Sequence, residues 1–128
     1  MLDVDYVITI HDEIVAELGG LPGLGGSGRG GLEAALGRVQ AHAYYAGAND
    51  VFLIAALYAV AIARGHTFND ANKRTGLTCA LTYLEQQGVI IQTRPELEEI
   101  MVEVADGRID QEVLAEVLSS IWADGASN

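Results

Sequence analysis

The chain has 128 residues, a mass of 13.6 kDa and a single cysteine, Cys79. This length is typical of one domain, and a hydrophobic fraction of 50% with a mean hydropathy of +0.23 excludes a disordered or collagen-like chain. One cysteine excludes an internal disulfide framework and a cysteine-based zinc cluster. The formal net charge of −11 argues against broad binding to nucleic acid or to an anionic membrane, because both favour a basic surface.

Neither the first residues nor the apolar runs resemble a targeting or membrane segment. Residues 1–5 are acidic where a secretory leader would be basic. The longest uncharged apolar run covers residues 51–63, whereas a bilayer span needs about twenty residues. We therefore expect a cytoplasmic protein in which this run forms a buried core helix.

Apolar residues recur at helical spacing in six segments, and strand patterns are essentially absent from the sequence. In chain order, helices are predicted from about Tyr6 to Leu18, from Leu32 to about Ala43, after an Asp50 N-cap to Arg64, from Asn69 or Asp70 to Gln87, over Pro95–Ala105, and over Asp110–Trp122. The predicted fold is an all-α, compact single-domain bundle of about six helices over residues 1–128. Residues 124–128 are predicted to be a frayed tail. Cys79 is expected to be a small core residue.

The segment between the first two predicted helices is rich in glycine. Residues 19–31 hold eight of the fifteen glycines, and residues 23–28 satisfy the G-x-G-x-x-G pattern of dinucleotide-binding proteins. That pattern indicates a nucleotide site only when it follows a strand within a βαβ unit. Here a helix precedes it, so the composition predicts a flexible loop with no dinucleotide site.

Residues 64–75 hold three of the seven basic residues of an otherwise acidic chain. Lys73 and Arg74 fall in the first turn of the fourth predicted helix, where the helix dipole disfavours cations by about 0.3–1 kcal/mol each. A first turn with N–H groups and two cations is suited to bind phosphates. The alternative is that Asn69 or Asp70 caps the helix and that both cations point into water.

Two further side chains favour the phosphate site. His66 lies four residues before Asp70, and a histidine titrates near neutral pH, so it can accept a proton from a hydroxyl beside a bound phosphate. A single carboxylate such as Asp70 suits Mg²⁺, which proteins usually hold with one or two carboxylates and the substrate phosphates. The segment therefore predicts a phosphoryl-transfer or nucleotidyl-transfer site. His11 and His42 are expected to be structural or exposed.

The ten residues 66–75, HTFNDANKRT, resemble the H-x-F-x-[DN]-[AG]-N-[KG]-R signature of the Fic/Doc superfamily. Lysine at position 73, where Fic proteins have glycine, is typical of the Doc (death-on-curing) toxins. The resemblance extends over about residues 6–122. It departs from the family pattern at Gly30-Gly31, where many relatives have an aspartate after the residue equivalent to Arg29. Arg29 and Arg38 are expected to be surface or structural arginines.

The resemblance implies roles for individual residues. His66 would be the general base and Asp70 would hold Mg²⁺. The backbone around Asn72, together with Lys73 and Arg74, would bind the phosphates of ATP. Phe68 would be buried and Arg64 would support the motif. The segment 44–50 would align the target chain, which places Tyr44, Tyr45 and Asn49 in a docking segment.

The same resemblance implies the activity and the partners. Fic proteins transfer AMP from ATP to a hydroxyl group, whereas Doc toxins are protein kinases. A Doc-like chain would be the toxin of a type II toxin–antitoxin module. It would phosphorylate elongation factor Tu and would be neutralised by a Phd-like antitoxin. Two alternatives are a Fic-type adenylyltransferase and a binding module without enzymatic activity.

Overall fold

The structure is a computed structural model that describes residues 1–45 and 50–126. Within these ranges the chain forms six helices and no named strand, which confirms the predicted all-α fold. The helices are α1 (Val4–Leu18), α2 (Gly28–Tyr45), α3 (Val51–Arg64), α4 (Asn72–Gln86), α5 (Pro95–Ala105) and α6 (Gln111–Ala126).

Helix α3 lies at the centre of the bundle, as its apolar run predicts. The predicted N-cap is confirmed, because the Asp50 carboxylate accepts hydrogen bonds from the backbone N–H groups of Phe52 and Leu53. α3 packs most extensively on α4, and Gly76 permits this close approach: a Cβ there would lie 2.8 Å from the carbonyl oxygen of Ala59. Across the described ranges, no helix combines the length and apolar character needed to cross a membrane.

The start of α2 and the end of α6 differ from those that the sequence predicts. α2 begins at Gly28, four residues before the predicted start, because packing of its apolar face outweighs the poor helix propensity of the early glycines. α6 continues to Ala126, so the prediction of a frayed tail is wrong for residues 124–126. Residues 127–128 lie outside the described part of the chain.

Cys79 is confirmed as a core residue on α4. Its side chain is fully buried, and burial raises the pKa of the thiol to about 12. The thiol is therefore uncharged at neutral pH, and it packs as a small apolar side chain.

Candidate active site

The motif loop, residues 65–71, connects α3 to α4 and pairs through its backbone with the glycine loop, residues 19–27. Gly25 N–H donates to the carbonyl oxygen of Thr67 at 2.6 Å, and Asn69 N–H donates to that of Gly23 at 3.2 Å. Only glycine fits at position 25, because a Cβ there would lie 2.6 Å from the carbonyl oxygen of Phe68. The glycine segment is thus a loop, as predicted, and backbone hydrogen bonds at Gly23 and Gly25 join it to the motif loop.

Phe68 fixes the motif loop to the core. Its side chain is buried, and its ring stacks on that of His11 with 3.8 Å between the ring centroids and 5° between the planes. The Asn72 side chain holds the backbone of Phe68 from both sides, since its Oδ1 accepts the Phe68 N–H and its Nδ2 donates to the Phe68 carbonyl. The expected burial of Phe68 is therefore observed, and the Asn72 amide closes the loop.

His66 is exposed at the start of the motif loop, and its backbone has a left-handed conformation with φ +51°. Such a conformation is uncommon for a residue other than glycine and is kept only where the surroundings impose it. The glycine loop supplies that constraint, because Ser27 N–H donates to the His66 carbonyl and Ser27 Oγ donates to that of Gly65. The imidazole is accessible to a hydroxyl group from another molecule.

Asp70 is exposed, and both of its carboxylate oxygens accept backbone hydrogen bonds. Oδ1 accepts the N–H of Ala71 at 2.8 Å and Oδ2 accepts that of Leu21 at 3.1 Å. These two bonds, with smaller contributions from the nearby Arg74 and His11, hold the pKa of the carboxyl below its ordinary value. The carboxylate is therefore ionised at neutral pH.

The first turn of α4 receives no side-chain cap, so the cap expected from Asn69 or Asp70 is absent, whereas the exposure of both cations is as the same alternative predicts. Ala71 occupies the N-cap position in the left-handed region with φ +63°, and for this reason α4 starts later than predicted. The Asn69 amide donates to the Pro22 carbonyl, away from the helix end. Lys73 and Arg74 are exposed in this uncapped first turn. A positive helix end with two cations suits a phosphate group.

A divalent metal fits Asp70 as one ligand among several. No group of three or more His, Cys, Asp or Glu side chains with a metal-binding arrangement occurs in the described ranges. An ionised carboxylate offers about four acceptor positions, and the two backbone N–H groups use two of them. The remaining positions suit Mg²⁺ shared with substrate phosphates, which is the usual way in which proteins hold this ion.

Arg64 supports a different part of the fold from the one predicted. Its guanidinium donates to the carbonyl oxygens of Val104 and Ile109, both at 2.7 Å. These bonds join the end of α3 to the last turn of α5 and to the connection between α5 and α6. The contacts that hold the motif loop come instead from the glycine loop, Asn72 and His11.

Where the structure describes them, the other predicted residues are exposed on the surface. Tyr44 and Tyr45 are strongly exposed at the end of α2, while Asn49 lies outside the described residues. Arg29 forms surface ion pairs with Asp5 and Glu33, as expected for a surface arginine.

His11 is the residue at this site whose contacts the sequence interpretation missed. It is fully buried on α1, and its Nε2 lies 2.9 Å from the carbonyl oxygen of Asp70. One feature of the sequence does predict its burial: His11 lies on the apolar stripe of α1, between Val7 and Ile14 at helical spacing. The stripe does not identify the hydrogen-bond partner of His11.

Comparison with known proteins defines the class of protein. The family model for the Fic/DOC family matches residues 1–84. The chain belongs to the Fic/DOC family. It is also 44% identical over 118 residues to the protein kinase doc of Escherichia phage P1, a match that covers 92% of each chain. This similarity confirms the prediction of a Doc-type enzyme.

Proposed function

We propose that this protein is the toxin of a type II toxin–antitoxin module and transfers the γ-phosphoryl group of ATP to a hydroxyl group of a protein. The observation that carries the proposal is that one segment, residues 66–74, presents an exposed imidazole, an ionised carboxylate and an uncapped cationic helix end. The similarity to a protein named as a kinase supports the same reaction.

Each residue has a chemical role in this reaction. His66 accepts the proton of the attacking hydroxyl as the new oxygen–phosphorus bond forms, and ADP leaves as the bond to its β-phosphate breaks. The N–H groups of the first turn of α4, with Lys73 and Arg74, bind the phosphates. Asp70 would hold Mg²⁺, which neutralises charge on the phosphates when it is bound.

Lys73 favours phosphoryl transfer over AMP transfer. It is exposed in the first turn of α4, so it adds a side chain and a positive charge at a position where Fic enzymes have glycine. The added side chain narrows the phosphate site, and the nucleotide would then bind with its γ-phosphate nearest His66 and Asp70. Transfer of the α-phosphoryl group with its nucleoside remains the competing reaction.

Label transfer from ATP distinguishes the two reactions. We expect transfer to protein from ATP labelled at the γ-phosphate and none from ATP labelled at the α-phosphate, with purified elongation factor Tu as the first target. The opposite pattern would identify an adenylyltransferase. No transfer from either label, to this target or to proteins of a whole lysate, would favour the binding module.

The exposed end of α2 is the proposed docking segment for the target. Tyr44 and Tyr45 expose 78% and 85% of their surface, more than the other large hydrophobic residues that the structure describes. Exposed tyrosines offer apolar area and a hydroxyl at low entropic cost, which suits recognition of another chain. The proposal that the target is elongation factor Tu rests on the resemblance to Doc toxins.

We propose that a Phd-like antitoxin binds in a groove that runs along α4. The groove has a volume of about 510 Å³ and is lined by α1, α4, α5 and the segment before α5. Its lining is largely apolar, and Leu18 and Ile90 are strongly exposed there. A disordered tail that folds into an amphipathic helix needs a groove of this kind.

We expect Ile90→Glu to weaken binding of the product of the adjacent gene at least about tenfold, because the new carboxylate would be buried in the apolar contact. Val113→Glu is the matched control, since Val113 is also exposed but lies on α6 outside the groove. Co-purification and titration calorimetry measure the effect. Equal binding by both variants would place the antitoxin elsewhere.

A further inference from the structure

His11 contacts the motif loop at two points, although it lies 59 residues before Asp70 in the chain. Its ring stacks on Phe68, and its Nε2 lies 2.9 Å from the carbonyl oxygen of Asp70. Because a carbonyl oxygen only accepts hydrogen bonds, Nε2 carries the proton and donates it. The His11 side chain is fully buried, so the donor of this bond is shielded from water.

The peptide group between Asp70 and Ala71 transmits this contact to the carboxylate. Its carbonyl oxygen accepts from His11, and its N–H donates to Asp70 Oδ1 at 2.8 Å. This trans peptide is planar, so its oxygen and its N–H point in opposite directions. Holding the oxygen therefore also fixes the direction of the N–H, which in turn orients the carboxylate.

An apolar residue at position 11 would fill the same space without the need to bury a polar ring. The stack on Phe68 by itself requires only a flat ring. The hydrogen bond requires a donor at one position, and that donor is aimed at the peptide group that orients Asp70. Packing alone therefore does not account for histidine at position 11, whereas orientation of the Asp70 carboxylate does.

We propose that His11 is a positioning residue, which orients the Asp70 carboxylate toward the metal–phosphate position through the Asp70–Ala71 peptide group. This inference rests on the proposed function, because it assigns His11 to the same site. His11 is fully buried, and in this role it acts through the hydrogen bond to the Asp70–Ala71 peptide group; its other ring nitrogen, Nδ1, lies 3.4 Å from Asp12 Oδ1.

Two substitutions separate the hydrogen bond from the stack. His11→Phe keeps a flat ring against Phe68 and removes the donor, whereas His11→Gln keeps a donor close to the Nε2 position and removes the ring. His42→Phe, a change of the exposed histidine on α2, is the matched control. Circular dichroism melting curves establish that each variant is folded at the temperature of the assay.

The direct readout is the binding of Mn²⁺ in the presence of ATP, followed by electron paramagnetic resonance without a protein target. We expect His11→Phe to weaken this binding by about 10- to 100-fold, the usual loss when a partner of a metal ligand is removed. His11→Gln should recover most of it, and His42→Phe should bind as the wild type does. The Mg²⁺ concentration that gives half-maximal γ-label transfer should change in parallel.

Binding of Mn²⁺ by His11→Phe at the wild-type affinity would overturn the proposal, as would equal losses in the Phe and Gln variants. If His11→Phe does not fold, the Nε2–H resonance of His11 in the wild type provides the test. This resonance should shift when Mg²⁺ and ATP are added, and an unchanged resonance would overturn the proposal. A wild-type protein that binds Mn²⁺ with ATP but transfers no γ-label would instead contradict the proposed function.

Discussion

Removal of the His66 imidazole is expected to lower the rate of phosphoryl transfer by about 10²–10⁴-fold, the usual contribution of a general base. ATP binding should stay nearly unchanged, because the phosphates are bound by the first turn of α4. His66→Asn is the preferred variant, since asparagine tolerates the left-handed backbone at this position better than alanine does. Comparison with His66→Ala then shows whether added backbone strain at this position changes the rate.

Measurement of γ-label transfer and of growth arrest at equal expression tests this prediction. His42→Asn is the matched control, because it changes an exposed histidine outside the motif loop. Growth arrest by His66→Asn equal to that of the wild type would exclude His66 as the base. Loss of ATP binding in the same variant would show instead that His66 holds the nucleotide.

Asp70→Asn is expected to lower the rate about 100-fold or more, because the charge that would hold Mg²⁺ is lost. The amide has nearly the same shape, but its NH₂ group would face one of the two backbone N–H donors, from Leu21 or Ala71. Raising the Mg²⁺ concentration should restore part of the activity. Asp124→Asn on α6 is the matched control, and a rate equal to that of the wild type in Asp70→Asn would exclude Asp70 as a metal ligand.

The pH dependence follows from the lowered pKa of Asp70. The backbone hydrogen bonds from Ala71 and Leu21 keep the carboxyl ionised to a lower pH than an ordinary aspartate. Protonation of the ATP phosphates also raises the Mg²⁺ requirement at low pH, but it affects the wild type and Asp70→Asn alike. The ratio of the half-maximal Mg²⁺ concentrations of Asp70→Asn and the wild type should therefore stay constant between about pH 7 and pH 5. A ratio that falls steeply over this interval would mean that Asp70 is protonated there.

The sequence predicts those parts of the fold that depend on local pattern. The apolar run of α3, its Asp50 cap and the Pro95 start of α5 are all present as predicted. The start of α4 was missed because the left-handed conformation of Ala71 is imposed by contacts with other segments. Local propensity contains no information about such contacts.

The same distinction applies to the site. The residue types in the motif are sufficient to predict a base, a metal carboxylate and a phosphate-binding helix end. The backbone pairing with the glycine loop is not predictable from periodicity, because its bonds join main-chain atoms and depend on how α1 packs on α4 and α2 packs on α3. The contact of His11 with Asp70 was missed for the same reason, since it joins α1 to the motif loop, 59 residues further along the chain.

The pairing between the glycine loop and the motif loop also determines when the site can form during folding. Leu21 and Asp70 are 49 residues apart in the chain, and Ser27 and Gly65 are 38 apart. Contacts between such distant segments carry a high loop-closure cost and form once much of the chain is already ordered. A nascent or partly folded chain therefore carries the complete motif but has no assembled site, so that the proposed activity arises only with the native state.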